Sequence, residues 1–145
     1  MLYFYPEDFG ALGNGVNNDC VAIQSAIDKA EENGGGTVVL TSGKTYYSDS
    51  IRMKKNVELH LQKGSRLKAT DNIDGYIRPC NMINDPKTAL IGNPVTGKPS
   101  FVFIYGYEAD GCTISGEGII DANGHAFVER KDKYYVTGNF YPRPT

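Results

Sequence analysis

The chain of 145 residues has no tryptophan and only 3 cysteines. No apolar run approaches the roughly 18 residues that a membrane-spanning helix needs, so no membrane partner is expected. Cys20, Cys80 and Cys112 are isolated from one another. Without a Cys-x-x-Cys pair a zinc site is not expected, and an odd count argues against a complete disulfide framework. The thiols read as small apolar packing residues. Positive charge is not in excess either. Fifteen Lys and Arg against 17 Asp and Glu leave a net charge of −2, which excludes a strongly basic nucleic-acid binder. There is no Asn-x-Ser/Thr sequon, and Met1–Glu7 has no basic start, long apolar stretch or small-residue cleavage site. The expectation is a cytoplasmic protein, with secretion left open for a processed fragment.

What is present is an ordinary folding composition, 40% hydrophobic and 22% charged, in a length that suits a single domain over residues 1–145. Glycine is abundant, 17 residues or about 12%, against roughly 7% on average. Asp8–Asp19 holds three glycines and reads as a tight, turn-rich loop, with Asn18 or Asp19 as helix N-cap. Ala22, Ile23, Ala26, Ile27 and Ala30 recur at helical spacing, and Asn33-Gly34-Gly35-Gly36 stops the helix. Residues 1–36 thus form a capping-helix region.

After Gly36 the period changes. Thr37–Leu40, Thr45–Ser48, Ile51–Met53, Val57–Leu61, Arg66–Ala69, Phe101–Tyr105, Thr113–Ser115 and Gly118–Asp121 read as short strands. Residues 71–99 hold four of the 7 prolines and read as an inserted excursion, with Ala89–Ile91 as one strand inside it. The tail from Ala122 reads as irregular. No hairpin dipeptide joins two alternating runs, which favours a solenoid of parallel strands over a meander. A loose internal repeat supports this. Val57-Glu58-Leu59-His60 followed by Leu67-Lys68-Ala69 is echoed by Cys112-Thr113-Ile114-Ser115 followed by Ile120-Asp121-Ala122. The fold class is therefore all-β, a parallel β-helix of few coils with an N-terminal helical cap.

The block Asp8-Phe9-Gly10-Ala11…Gly13-Asn14-Gly15…Asn18-Asp19-Cys20…Ala22-Ile23-Gln24…Gly34-Gly35-Gly36-Thr37-Val38 resembles the opening of pectin-lyase-type right-handed β-helix proteins. Asn56–Leu61 with Gly64-Ser65 and Leu67–Ala69, the run Ile114-Ser115-Gly116-Glu117-Gly118-Ile119-Ile120-Asp121, and Arg143-Pro144 near the end narrow it to glycoside hydrolase family 28, the polygalacturonases. The resemblance implies an N-terminal portion of an enzyme that hydrolyses α-1,4-galacturonide linkages in pectic polysaccharide, without a cofactor. Two departures stand out. Cys20 replaces a usual threonine, and the family's Asn-Thr-Asp, Asp-Asp, Gly-His-Gly and Arg-Ile-Lys motifs are missing, Gly124-His125-Ala126 being a superficial echo. The chain alone is therefore expected to be inactive, with catalytic carboxylates beyond residue 145 and no catalytic residue within it.

Inverting hydrolysis needs two carboxyl groups about 6.5–9.5 Å apart. Glu58, Glu108, Asp110, Glu117 and Asp121 are scattered, and Glu58 has no obvious acid partner in a neighbouring coil. Asp121 at a strand end is the best buried-acid candidate, against the commoner role of capping a turn. His60 and His125 are lone histidines, more often hydrogen-bonded surface residues than catalysts, and neither is spaced with the cysteines as a metal ligand. An anionic glycan needs cations, and Arg52, Arg66, Lys68, Arg130, Lys131, Lys133 and Arg143 are the candidates. Basic and aromatic residues adjoin in Arg130–Tyr135, so Arg130, Lys133, Tyr134 and Arg143 are the expected substrate-binding residues. Gly92–Pro99 nearly spells a phosphate-binding loop, but Pro99 replaces the magnesium-binding hydroxyl and a strand follows where a helix is required. The rival class is a non-catalytic, tailspike-like carbohydrate-binding module. A third, a β-helix lyase or epimerase, would need calcium ligands that the sequence does not point to. A coil stack with a bare end is also expected to self-associate through its last coil, or to leave residues 126–145 partly disordered.

Overall fold

The structure is a computed structural model that describes residues 1–76, 102–127, 129–131 and 134–136. The helix forms as the apolar spacing predicts. Helix α1 runs Cys20–Glu32 and buries Ala22, Ile23, Ala26, Ile27 and Ala30 on one side. It ends on Gly34, whose φ of 85° is left-handed, with the Gly35 amide donating back to the Ala30 carbonyl at 2.9 Å.

The strands then wind in coils. β3 (Gly36–Leu40), β4 (Thr45–Ser48) and β5 (Ile51–Met53) make one coil. β6 (Val57–Leu61), β7 (Arg66–Ala69) and β8 (Ile104–Gly106) make the next, and β9 (Thr113–Gly116) and β10 (Ile119–Asp121) begin a third. Ahead of them lie β1 (Tyr3–Phe4) and β2 (Asn14–Asn18). Like strands stack into three parallel sheets, β1-β3-β6-β9, β2-β4-β7-β10 and β5-β8. This is a right-handed parallel β-helix, capped by α1.

The register measures the coil. Gly36 pairs with Val57 and Thr45 with Arg66, a step of 57 − 36 = 66 − 45 = 21 residues. Ile51 pairs with Ile104, a step of 104 − 51 = 53, so about one and a half coil lengths are inserted between β7 and β8, where the excursion was expected. Its expected strand Ala89–Ile91 and Gly92–Pro99 lie outside the described residues, as does Cys80. The internal repeat is the register itself, because Leu59 pairs with Ile114, His60 with Ser115, Leu67 with Ile120 and Lys68 with Asp121.

Alternation decides what is inside. Val38, Leu40, Tyr46, Ile51, Leu59 and Leu67 point inward and are fully buried. In the last coil the equivalent inward positions Ile114 and Ile120 are 46% and 43% exposed, and among the described residues no strand lies beyond β9 or β10 in either sheet.

Several expectations need correction. The loop Asp8–Asp19 begins within a 3-10 turn (Pro6–Phe9) and contains the strand β2, which pairs Asn14 with Thr45 and Asn18 with Tyr47. Asp19 does not cap α1 with its side chain. Its carboxylate instead accepts the Leu12 and Gly13 amides at 2.8 and 3.0 Å, while Asn18 Oδ1 accepts the Cys20 amide at 3.0 Å. The strand expected from Phe101 begins at Ile104, with Val102 an isolated bridge and Phe101 outside the described residues. The tail is not wholly irregular, since a 3-10 turn (Gly124–Phe127) is followed by an antiparallel pair, β11 (Glu129–Lys131) and β12 (Tyr134–Val136). Cys112 packs against the core as expected, whereas the half-buried Cys20 thiol donates to the Ser50 carbonyl at 3.2 Å. Among the described residues no helix is long and apolar enough to cross a membrane.

Candidate functional site

A parallel stack sets outward side chains of successive coils beside one another, about 4.8 Å apart, so each sheet displays columns of residues distant in sequence. The β1-β3-β6-β9 sheet carries the column Thr37, Glu58, Thr113 and, two positions on, His60 beside Ser115. Four of these side chains form one chain of hydrogen bonds. Thr37 Oγ1 donates to Glu58 Oε2 at 2.9 Å, and Ser115 Oγ donates to Glu58 Oε1 at 2.5 Å. His60 Nδ1 lies 2.7 Å from Ser115 Oγ and 3.9 Å from Glu58 Oε1.

The proton count fixes the direction of this chain. Ser115 has one hydroxyl proton, and it goes to Glu58, so His60 Nδ1 must donate to Ser115. The imidazole is then no base for the serine, and the order differs from that of a nucleophilic triad. Hydroxyl donation from Ser115, and after it from Thr37, holds the Glu58 carboxyl below the usual range. Glu58 remains ionised at neutral pH and is a poor proton donor.

Asp121 lies on the neighbouring β2-β4-β7-β10 sheet. Its Oδ1 accepts the Asn123 amide at 2.9 Å and its Oδ2 accepts Arg66 Nη1 at 2.9 Å. The amide bond first, and then Arg66, lowers its pKa despite partial burial. The residue is half-exposed rather than a buried acid, and it caps the turn at the end of β10. Among the described strand pairs no two acids are register partners. Among the described residues no group of three or more His, Cys, Asp and Glu is placed to hold a metal.

Of the expected substrate-binding residues, Arg130 lies in β11 opposite Tyr135, and Tyr134 lies in β12 opposite Lys131. Lys133 and Arg143 lie outside the described residues. The hairpin backbone thus brings the basic and aromatic positions of this stretch side by side. His125 is exposed in the 3-10 turn. The parts of Thr37 and Ser115 were not read from the sequence, although the repeat that aligned Ser115 with His60 held the signal.

The sequence model of one family, described as rhamnogalacturonase A/epimerase, pectate lyase-like, matches residues 7–124. The chain belongs to this pectate lyase-like family. Depolymerase 1, capsule KN3-specific, of Klebsiella phage KN3-1 is 32% identical over 148 residues, which cover 96% of this chain and 19% of that protein. The iota-carrageenase of Alteromonas macleodii is 38% identical over 74 residues, 50% of this chain and 15% of that protein. The family 28 exopolygalacturonase of Yersinia enterocolitica superposes with a TM-score of 0.67 at 24% identity, over 94% of this chain and 23% of that one. The pectate lyase-like chain therefore spans less than a fifth of the length of these two curated relatives. Its fold is the one the sequence resemblance implied, and its relatives include polysaccharide-degrading proteins.

Proposed function

We propose that this chain supplies the capped front and first coils of a polysaccharide-depolymerising enzyme that hydrolyses α-1,4-galacturonide or related pectic linkages, and that the chain alone is inactive. The observation behind this is the asymmetry of the stack in a pectate lyase-like chain. One end is sealed by α1, while the inward column Val38–Leu59 continues to a half-exposed Ile114. Inactivity is supported by the acids. Glu58 and Asp121 are engaged by neighbouring donors and held ionised, so neither is suited to protonate a leaving oxygen. With no coil over it among the described residues, the open end would also accept a second copy end to end.

A second reading, a tailspike-like module on a capsular polysaccharide, is favoured by the 32% identity to a phage capsule depolymerase across 96% of the chain. The test is a panel of polygalacturonate and capsular polysaccharides, read by affinity electrophoresis and by a reducing-end assay. Retardation by polygalacturonate without new reducing ends is expected. New reducing ends overturn the inactivity, and retardation by a capsular polysaccharide alone overturns the pectic assignment.

A further inference from the structure

The third sheet, β5-β8, carries a cation with a buried, unpaired nitrogen. Ile51 and Met53 point inward and are buried, so Arg52 between them points out. Its main chain is clamped by α1. Gln24 Oε1 accepts the Arg52 amide at 2.9 Å, and Gln24 Nε2 donates to the Arg52 carbonyl at 3.1 Å. The neighbouring cation is already matched, with Lys54 Nζ 2.9 Å from Glu31 and 3.6 Å from Asp28. Arg52 makes no ion pair within 4 Å among the described residues, although its charge helps to lower the Glu31 carboxyl after the bond from Lys54, and its Nε is buried without a hydrogen bond. That is a costly state for an arginine unless something else engages the guanidinium.

The next coil places Tyr105 in register with Arg52. The phenol is half-buried. Burial raises its pKa, while the charges of Arg52 and then Lys54 pull it back. An outward arginine on a clamped main chain, in register with a half-buried phenol, matches an anionic sugar. The guanidinium fork takes two oxygens of a planar or tetrahedral oxyanion, and the tyrosine offers a ring face and a hydroxyl.

We propose that Arg52 and Tyr105 form a binding subsite for an acidic sugar unit of a polysaccharide, with Arg52 holding the anionic group. This rests on the polysaccharide reading above. It adds a sheet face distinct from the 130–135 stretch.

The test titrates the full chain with trigalacturonate, its methyl ester and a sulfated trisaccharide, following the Arg52 Nε–H and Tyr105 ring resonances. Trigalacturonate or the sulfated probe should move both signals and bind more tightly than the ester, and the tighter of the two identifies carboxylate or sulfate as the group recognised. Arg52→Ala should weaken that probe by about tenfold. Arg52→Lys, which keeps the charge and the stem but not the fork, should weaken it by about threefold and guards against a folding defect. Lys63→Ala, in an exposed turn, should leave affinity unchanged. Equal binding of ester and acid, or unchanged affinity in both Arg52 variants, overturns the subsite while glycan binding stands. No binding of any probe overturns the subsite and the polysaccharide reading together.

Discussion

The inward column Val38–Leu59–Ile114 allows one kind of side chain to be removed at a covered and an open coil. Leu59 is fully buried in the middle coil, flanked in register by Val38 and Ile114. Leu59→Ala removes its apolar contacts and leaves a closed cavity between two coils, where neighbours cannot collapse without breaking strand pairing. Substitutions of this kind cost about 2–5 kcal/mol, and a site walled on both sides belongs in the upper half, about 3–4 kcal/mol. Ile114 is 46% exposed, so only about half of its side chain leaves water on folding, and truncation opens to solvent rather than to a cavity. The expected cost is about 1 kcal/mol. With a urea slope of about 2 kcal/mol per molar, Leu59→Ala should lower the midpoint by about 1.5–2 M and Ile114→Ala by about 0.5 M. Circular dichroism at low micromolar protein reads both midpoints. Equal losses would refute the open end. A loss at Ile114 that grows with protein concentration would instead show a second copy covering it, since association adds stability only where subunits meet.

The last coil also tests the backbone. At Gly116 φ is 99° and a Cβ would lie 2.0 Å from the Leu61 carbonyl oxygen, so Gly116→Ala should cost at least about 2 kcal/mol and loosen β9 from β6. Gly34→Ala, with φ of 85° but open space around it, should cost only about 1 kcal/mol in the same denaturation assay. The Tyr46 hydroxyl donates to Glu7 Oε1 at 2.7 Å and accepts the Thr41 amide at 2.9 Å, so Tyr46→Phe should cost about 1–3 kcal/mol by leaving that amide unpaired. Burial, and after it the bond to Glu7, pushes the Tyr46 phenol up to about 12, and burial does the same for Tyr76. The folded chain thus keeps protons that the unfolded chain releases near pH 10. Stability should hold below pH 10 and fall as pH rises towards 12, less steeply in Tyr46→Phe, as followed by thermal melts across that range.

Local pattern made most of the coil legible. β4, β5, β6 and β7 have the bounds that alternation and glycine turns suggest, and α1 begins and ends where its apolar spacing does. β2 was not legible, for a physical reason. Asn-Gly-Val-Asn-Asn has no strand propensity of its own, and its residues are mostly exposed. It is extended because β4, some thirty residues later, offers an edge to pair with. Asp19 holds the N-cap position as expected, but its side chain serves elsewhere. An aspartate before a helix favours capping, but the turn at Leu12–Gly13 presents two amides to the same carboxylate.

The outward faces follow a stricter rule. In a coil of 21 residues, the neighbour of an outward side chain lies 21 residues on, unless an insertion intervenes. Thr37 and Glu58 obey the short step, and their hydrogen bond could be found by counting. Glu58 and Ser115, or Arg52 and Tyr105, are brought together only after the excursion is subtracted, because its length sets which residues of the next coil meet those of the last. Composition and motif therefore reveal the fold without revealing the columns. The internal repeat supplies the missing offset. Once Leu59 is aligned with Ile114, His60 must lie beside Ser115, and a cation on β5 must face whatever β8 presents, which here is Tyr105.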